Sequence, residues 1–176
     1  MNTDRFETEH LVLRKARGAD LDAIWHNVWE DESIAKMMLW QPTKTREAAE
    51  DRMRRTKNYQ KSFPAYFVCL KETDEPIGFG GFREIGEGEF EESGVCFAVP
   101  YQNRGFGKEV LRALVTLAFE GFGGHRFVAG CFHENLRSAA VIKGCGFVYT
   151  HSSHLTRDWD GYEYLCDFYE LRKAAE

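Results

Sequence analysis

The sequence feature that most constrains the fold is an amphipathic helical pattern with a strand on either side. Ser93–Val99 is predicted as a strand that ends at Pro100, and Arg126–Phe132 as another. From about Arg104 to Phe119, apolar residues recur at helical spacing: Val110, Leu111, Leu114, Leu117 and Ala118. A strand–helix–strand passage within one sheet makes its two strands parallel, so the pattern predicts a mixed sheet.

The remaining strands are predicted from short β-rich runs bounded by turn residues. They are His10–Ala16, Ala65–Lys71, Ile77–Ile85, Phe147–Thr150 and Tyr162–Leu171. An apolar stripe, Leu21 to Trp29, predicts a first helix, and Thr43 or Thr45 can cap a polar helix to about Gln60. Asn135–Lys143 predicts a short helix. The expected order is β-α-α-β-β-β-α-β-α-β-β, in one α/β (α+β) domain over residues 1–176, with a mostly antiparallel twisted sheet flanked by helices.

Composition excludes several classes of function. The net charge of −5 and pI of about 5.7 argue against a nucleic-acid binder, since such proteins neutralise phosphates with basic residues. The basic run Arg52–Lys57 is interpreted as a solvated helix face. No apolar stretch is long enough to cross a membrane. Five scattered cysteines without a CxxC pair, and no signal peptide, indicate reduced thiols and a cytoplasmic location. No metal-ligand pattern is complete, so no metal is expected.

The segment Gln102-Asn103-Arg104-Gly105-Phe106-Gly107 lies where a strand has ended and a helix begins. Amides in the first turn of a helix lack intrahelical partners and lie at the positive end of the helix dipole, so they can bind phosphate. Glycines at 105 and 107 let a diphosphate approach these amides, and Arg104 and Lys108 add charge at the rim. Alternatively, the glycines serve only a tight strand-to-helix turn, but the surrounding strand, proline and amphipathic helix favour phosphate binding.

The whole pattern resembles the GNAT superfamily of N-acetyltransferases. Gln102, Gly105 and Gly107 match its Gln/Arg-x-x-Gly-x-Gly/Ala loop. Asn135-Leu136-Arg137-Ser138, followed by Gly144-Cys145-Gly146-Phe147, resembles the branch that includes ribosomal-protein N-terminal (alanine/serine) acetyltransferases, as does the opening Glu7–Arg14. The resemblance implies acetyl-CoA as co-substrate. The residues it implies in binding are Phe97, Ala98, Val99, Gln102, Asn103, Arg104, Gly105, Phe106, Gly107, Lys108, Asn135 and Ser138, with the backbone of residues 97–99 along the pantetheine arm.

Glu92 is the preferred catalytic base, because the resemblance puts a glutamate two residues before Gly94. The alternative is that Glu92 is one more solvated acid of an acidic hairpin. Ser138 resembles the serine near the CoA sulfur, where it could protonate the thiolate, or it is only a small residue at a helix contact. Asn135 is also read as a helix N-cap. The tyrosine that many members carry seven residues after this asparagine is replaced by Ile142.

The acceptor pocket is expected to involve Trp40, Phe82 and Tyr101, although aromatic residues are more often core. We expect acetyl transfer to a primary amine by direct attack in a ternary complex. The alternative is an acyl-CoA-binding sensor without turnover. A protein N-terminal α-amine, a small amine or polyamine, and an amine-bearing antibiotic remain open as acceptors, and the resemblance favours the first. No nucleic acid or membrane partner is expected, and a homodimer is the commonest oligomer among soluble proteins.

Overall fold

The structure, a computed structural model, describes residues 3–174. Within them, eight strands form one sheet in the order β1-β2-β3-β4-β5-β6-β8-β7. The strands are β1 Arg5–Glu7, β2 Leu11–Arg14, β3 Ala65–Leu70, β4 Pro76–Gly86, β5 Glu89–Phe97, β6 Arg126–Phe132, β7 Val148–Thr156 and β8 Glu163–Arg172. Strands β5 and β6 are parallel, and every other neighbouring pair is antiparallel. The predicted mixed, mostly antiparallel sheet is confirmed.

Five α-helices lie among the described strands. They are α1 Leu21–Ile24, continued by a π-helical turn at Trp25–Trp29, α2 Glu32–Ala35, α3 Arg46–Ser62, α4 Phe106–Thr116, continued by a π-helical turn at Leu117–Gly121, and α5 Leu136–Gly144. Short 3₁₀ turns lie at Gly18–Asp20 and Val99–Tyr101. Thr45 is the residue that caps α3, because its side chain accepts a hydrogen bond from the amide of Ala48.

The sheet is covered on both faces. On one face, Phe67 and Cys69 of β3 pack with residues of α1 and α3 such as Ile24 and Met53. On the other, the alternate residues of β3 pack against α4 and α5. Because successive side chains of a strand point to opposite faces, β3 is apolar at every position rather than at every second one.

Two element boundaries differ from the sequence prediction in ways that affect the site. β5 begins at Glu89 rather than Ser93, because its acidic residues pair with arginines on neighbouring strands: Glu91 with Arg83 at 2.6 Å and Glu89 with Arg126 at 2.9 Å. α4 begins at Phe106 rather than Arg104, since Gly105 in front of it has a left-handed φ of +85°. β1 was not predicted, and β7 extends to Thr156 rather than Thr150.

Candidate active site

The central feature of the candidate site is a gap between the parallel strands β5 and β6. Among the described residues their register covers three pairs, the last being Glu91 with Val128. Beyond that point β5 continues beside β4 as far as Phe97, and β6 continues beside β8 as far as Phe132. The facing edges therefore separate, and an extended ligand between them can pair with strand backbone.

A β-bulge in β5 accompanies the separation. Gly80 pairs with Val95 and Phe82 with Glu92, so Ser93 and Gly94 together oppose the single residue Gly81. Gly94 has a φ of +120°, a conformation that residues with a Cβ rarely adopt. Bulges bend their strand and increase its twist, which carries the second half of β5 away from β6.

The first turn of α4 faces the carboxyl end of β5. The first hydrogen bond of the helix is donated by Glu109 N to Gly105 O at 3.2 Å, so the amides of Phe106, Gly107 and Lys108 precede it. A Cβ built on Gly105 meets no atom within 4 Å, which leaves room outside this turn. Free amides at the first turn of a helix are suited to an anionic group such as a phosphate.

The predicted loop residues divide by role. Gln102 is structural here, because its Nε2 donates to the carbonyl of Phe97 at 3.0 Å and pins the loop to the end of β5. Arg104 lies over the ring of Tyr101, 5.3 Å from its centroid, and is exposed, as are Asn103 and Lys108. A Cβ on Gly107 would touch Val141 of α5 at 3.4 Å, so this glycine also lies at a helix contact.

The predicted pantetheine segment needs one correction. The amide of Ala98 donates to Ile77 O at 2.7 Å, which excludes Ala98 as a backbone donor to a ligand. Backbone polar groups of adjacent strand residues point to opposite edges, so the amide of Phe97 points away from β4. Val99 itself belongs to the 3₁₀ turn that follows the strand.

Glu92 differs from the other acids around the β4–β5 hairpin. Whereas Glu89 and Glu91 form ion pairs, burial raises the pKa of the Glu92 carboxyl to about 7. The charge of Glu91 raises it further, against hydrogen bonds from the amides of Gly94 and Val95, which lower it. A carboxyl of this pKa can both accept and release a proton near neutral pH.

Ser138 lies beside a residue that the sequence did not indicate, Cys131 of β6. Burial raises the pKa of the Cys131 thiol to about 11, the charges of Asp167 and, to a smaller extent, Glu92 add to this, and a side-chain hydrogen bond with Ser138 lowers it. The thiol is therefore protonated at neutral pH and is a weak nucleophile. A lone cysteine within a strand carries no motif, so no sequence signal could have selected it.

Asn135 acts as the predicted N-cap of α5. Its Oδ1 accepts a hydrogen bond from the amide of Ser138 at 3.1 Å. This interaction fixes the first turn of α5 and with it the backbone of Ser138. The short helix thus holds Ser138 beside Cys131 on the β6 side of the gap.

The prediction that Phe82 lines the acceptor pocket was wrong. Its side chain is fully buried in an aromatic cluster, with ring centroids 5.3 Å from Phe90, 5.6 Å from Phe122 and 5.7 Å from Phe127. Because both faces of β4 are covered, alternation alone could not tell which side of the sheet Phe82 occupies. Trp40 and Tyr101 are both half-buried.

A cavity of about 290 Å³ lies between α3 and strands β3–β5. Its lining includes Arg52, Gln60, Phe79, Ser93 and Gly94, so it reaches the bulge that follows Glu92. The interpretation of residues 52–57 as a solvated face was wrong for Arg52. Its guanidinium lies 4.3 Å from the ring centroid of Trp40 and 4.7 Å from that of Trp29.

Comparison with known proteins agrees with this geometry. The family described as "Acetyltransferase (GNAT) domain" matches residues 10–148, more than half of the chain. The chain belongs to the GNAT acetyltransferase family. It is accordingly an N-acetyltransferase, and acetyl-CoA is its co-substrate. The expected membership of the GNAT superfamily is confirmed.

Individual relatives are distant but cover most of the chain. The Uncharacterized N-acetyltransferase YnaD of Bacillus subtilis (strain 168) is 29% identical over 140 residues, which are 79% of this chain and 79% of YnaD. A Vibrio cholerae structure provisionally designated a ribosomal-protein-serine acetyltransferase has a TM-score of 0.82 at 20% identity, covering 98% of this chain and 100% of that one. The Microcin C7 self immunity acetyltransferase MccE, solved with acetyl-CoA and AMP, has a TM-score of 0.79 at 16% identity. The match covers 94% of this chain and 93% of that one.

Two further findings concern the described residues of this GNAT protein. None of their helices combines the length and apolar character needed to cross a bilayer. Nor do their histidine, cysteine and acidic side chains include a group of three or more arranged to hold a metal ion.

Proposed function

We propose that the protein transfers the acetyl group of acetyl-CoA to a primary amine by direct attack in a ternary complex. Either a protein N-terminal α-amine or the amine of a small molecule can serve as acceptor in this proposal. The observation that carries it is the position of Glu92, a carboxyl of near-neutral pKa at the point where β5 leaves β6.

In the proposed complex, the amides of Phe106, Gly107 and Lys108 bind the pyrophosphate, and Arg104, Asn103 and Lys108 line its rim. The open space outside Gly105 supports this arrangement. The amide of Phe97, which points away from β4, is proposed to pair with the pantetheine arm, together with that of Val99 in the turn that follows. Acetyl-CoA supplies the activated acetyl group.

Glu92 is proposed as the base that takes the amine proton, directly or through a water. A free amine is mostly protonated at neutral pH, with a pKa of about 8 for an α-amine and about 10 for a lysine-like amine. As the nitrogen bonds to the carbonyl carbon and releases its second proton, the carbon–sulfur bond breaks, and the departing thiolate takes up one proton, relayed from water through Ser138 or directly from water. A thiol with a pKa of about 8.5 leaves tolerably without a strong acid, so Ser138 is the less essential residue.

The experiment is an acceptor screen that detects thiol release, with Glu92→Gln and Glu87→Gln compared in parallel. Glu87 is an exposed acid of the same hairpin and is the matched control. The expected result is normal acetyl-CoA binding by both variants and a loss of about 10²-fold or more in turnover for Glu92→Gln alone. Equal turnover in both variants would overturn the role of Glu92. Binding of acetyl-CoA without turnover on any amine would indicate an acyl-CoA sensor instead.

We also infer that residues 1–176 make up one acetyltransferase domain. Contiguous burial on both faces of a single sheet supports this inference. The homodimer expected from the frequency of symmetric oligomers stays a prediction, which light scattering of the purified protein would test.

A further inference from the structure

Arg52 has an unusual environment for a guanidinium. It is half-buried, lies over the rings of Trp29 and Trp40, and donates one hydrogen bond, to Thr43 Oγ1 at 3.0 Å. Burial lowers the pKa of Arg52 to about 10, and the positive charge of Arg55 lowers it further. No carboxylate opposes this shift.

Other partly buried arginines of the chain are paired with acids. Arg14 donates to both carboxylate oxygens of Asp20 at 2.8 Å, and Arg157 donates to both of Asp160. Arg126 likewise pairs with Glu89 and Glu170. Among the described residues, no such ion pair is found for Arg52. Since burying a charge without a counter-ion is costly, its donors are suited to an anion that is not part of the chain.

A buried donor without a partner lies next to Arg52. The indole nitrogen of Trp40, Nε1, is buried and has no hydrogen-bond partner among the described residues. Trp40 contacts the Arg52 guanidinium through its ring. Guanidinium and indole N–H groups donate and do not accept, so a ligand that binds here would present an acceptor.

The cavity beside Arg52 reaches the strand that carries Glu92. Its volume of about 290 Å³ suits a group of amino-acid size rather than a folded protein surface. At its other end lie Ser93 and Gly94, the bulge residues directly after Glu92. A molecule with an anion at Arg52 can therefore extend toward the strand that carries the proposed base.

We propose that the acceptor is a small amine that also carries a carboxylate, and that Arg52, with Trp40 beside it, binds this carboxylate. The proposal rests on the proposed function, because it names the substrate class of the same site. It disfavours polyamines, whose cationic chains would meet Arg52 and Arg55 in the cavity lining. A peptide acceptor is the competing class and becomes an outcome of the test.

The experiment compares pairs of amines that differ only in the carboxylate. The common amino acids and their primary amides, β-alanine and its amide, spermidine, and short peptides with free N-termini are assayed by thiol release. Each amine is also titrated calorimetrically into the protein saturated with CoA. The expected result is a preference in kcat/KM of at least about tenfold for one or more carboxylates over the matching amide.

Two variants test the assignment to Arg52. Arg52→Met keeps the apolar stem and removes the donors, and we expect it to raise KM for the carboxylate amine while leaving the amide unchanged, which abolishes the preference. Arg54 lies on the exposed side of the same helix, so the control variant Arg54→Gln should keep the preference for the carboxylate amine. If Arg52→Met does not fold, as judged by circular dichroism, Arg52→Gln takes its place, with the same expected loss of the preference.

The outcomes separate this proposal from the proposed function. Equal rates on carboxylates and amides, a preference for peptides, or a preference that survives Arg52→Met would overturn the carboxylate site and leave acetyl transfer intact. Carboxylate-selective binding without thiol release on any amine would support the site and overturn the transfer reaction. Absence of both binding and transfer would overturn both.

Discussion

Arg157 donates a hydrogen bond to the backbone carbonyl of Met38 at 3.2 Å, and so ties the loop between β7 and β8 to the segment that leads into Trp40. The same nitrogen reaches Lys36 O at 3.3 Å, while the remaining donors bind Asp160. The side chain is almost fully buried, with 8% of its surface exposed. One cation thus satisfies the carbonyls that follow α2 and fixes the approach to Trp40.

Replacement of Arg157 by alanine should destabilise the protein and loosen the segment before Trp40. We expect the free energy of unfolding to fall by about 2–4 kcal/mol, because buried carbonyls and Asp160 lose their donor. Urea denaturation measures the first effect, and KM for the amine acceptor measures the second. Asp160→Asn is the control: it weakens the ion pair but retains the cation, so a KM change as large as that of Arg157→Ala would contradict the positioning role.

Activity should depend on pH through Glu92. With the pKa of its carboxyl at about 7, kcat/KM should rise as pH increases through about 7 and the base becomes deprotonated. Glu92→Gln should remove this limb of the profile, whereas Glu87→Gln should retain it. A wild-type profile that is flat between pH 6 and about 8 would rule out a base of this pKa.

Stability should show the opposite sign of dependence on pH. Burial raises the pKa of Glu92 above its ordinary value of 4.5, so the folded state holds the proton that the unfolded state releases. The fold therefore loses stability as pH rises from about 4.5 to above 7, by on the order of 2 kcal/mol. Glu92→Gln should show little difference from wild type at pH 4 and greater relative stability at pH 8. Parallel urea melts at the two pH values measure this, and identical pH dependence in both proteins would contradict it.

Gly105 and Gly123 provide a matched pair for testing the cofactor loop. Both have positive φ, +85° and +70°, and a Cβ at either position meets no atom within 4 Å. Alanine at either site should cost about 1–2 kcal/mol of stability, because the left-handed conformation is strained for a residue with a Cβ. We expect weaker acetyl-CoA binding for Gly105→Ala alone, measured by calorimetry. Equal affinity of the two variants would mean that the ligand does not approach the amides after Gly105.

Asn135 and Thr45 form a second matched pair, since each side chain caps a helix by accepting a backbone amide three residues later. Alanine at either position should lower stability by about 1 kcal/mol. Only Asn135→Ala should also lower kcat, because the amide it holds belongs to Ser138. Thermal melts and thiol-release kinetics of both variants test this, and an equal kcat in the two would limit Asn135 to its capping role.

The sequence predicted those parts of the site that depend on residues close together in the chain. The turn at Gln102–Gly107, the helix after it and the Asn135 cap follow from glycine conformation, helical spacing and capping chemistry. The parallel pair also followed, because a strand–helix–strand passage in one sheet requires it. These interactions span a few residues, so the local pattern contains the necessary information.

Only the tertiary structure decided which side chains face the site. Phe82 lies in the core although the sequence suggested the acceptor pocket, and Arg52 lines the cavity although the sequence suggested a solvated helix face. A sheet covered on both faces gives no alternation from which to assign sides, and a bulge such as that at Ser93–Gly94 reverses the alternation partway along a strand. The raised pKa of Glu92 and the neighbourhood of Cys131 and Ser138 arise from burial and from contacts between distant segments, which no local pattern specifies.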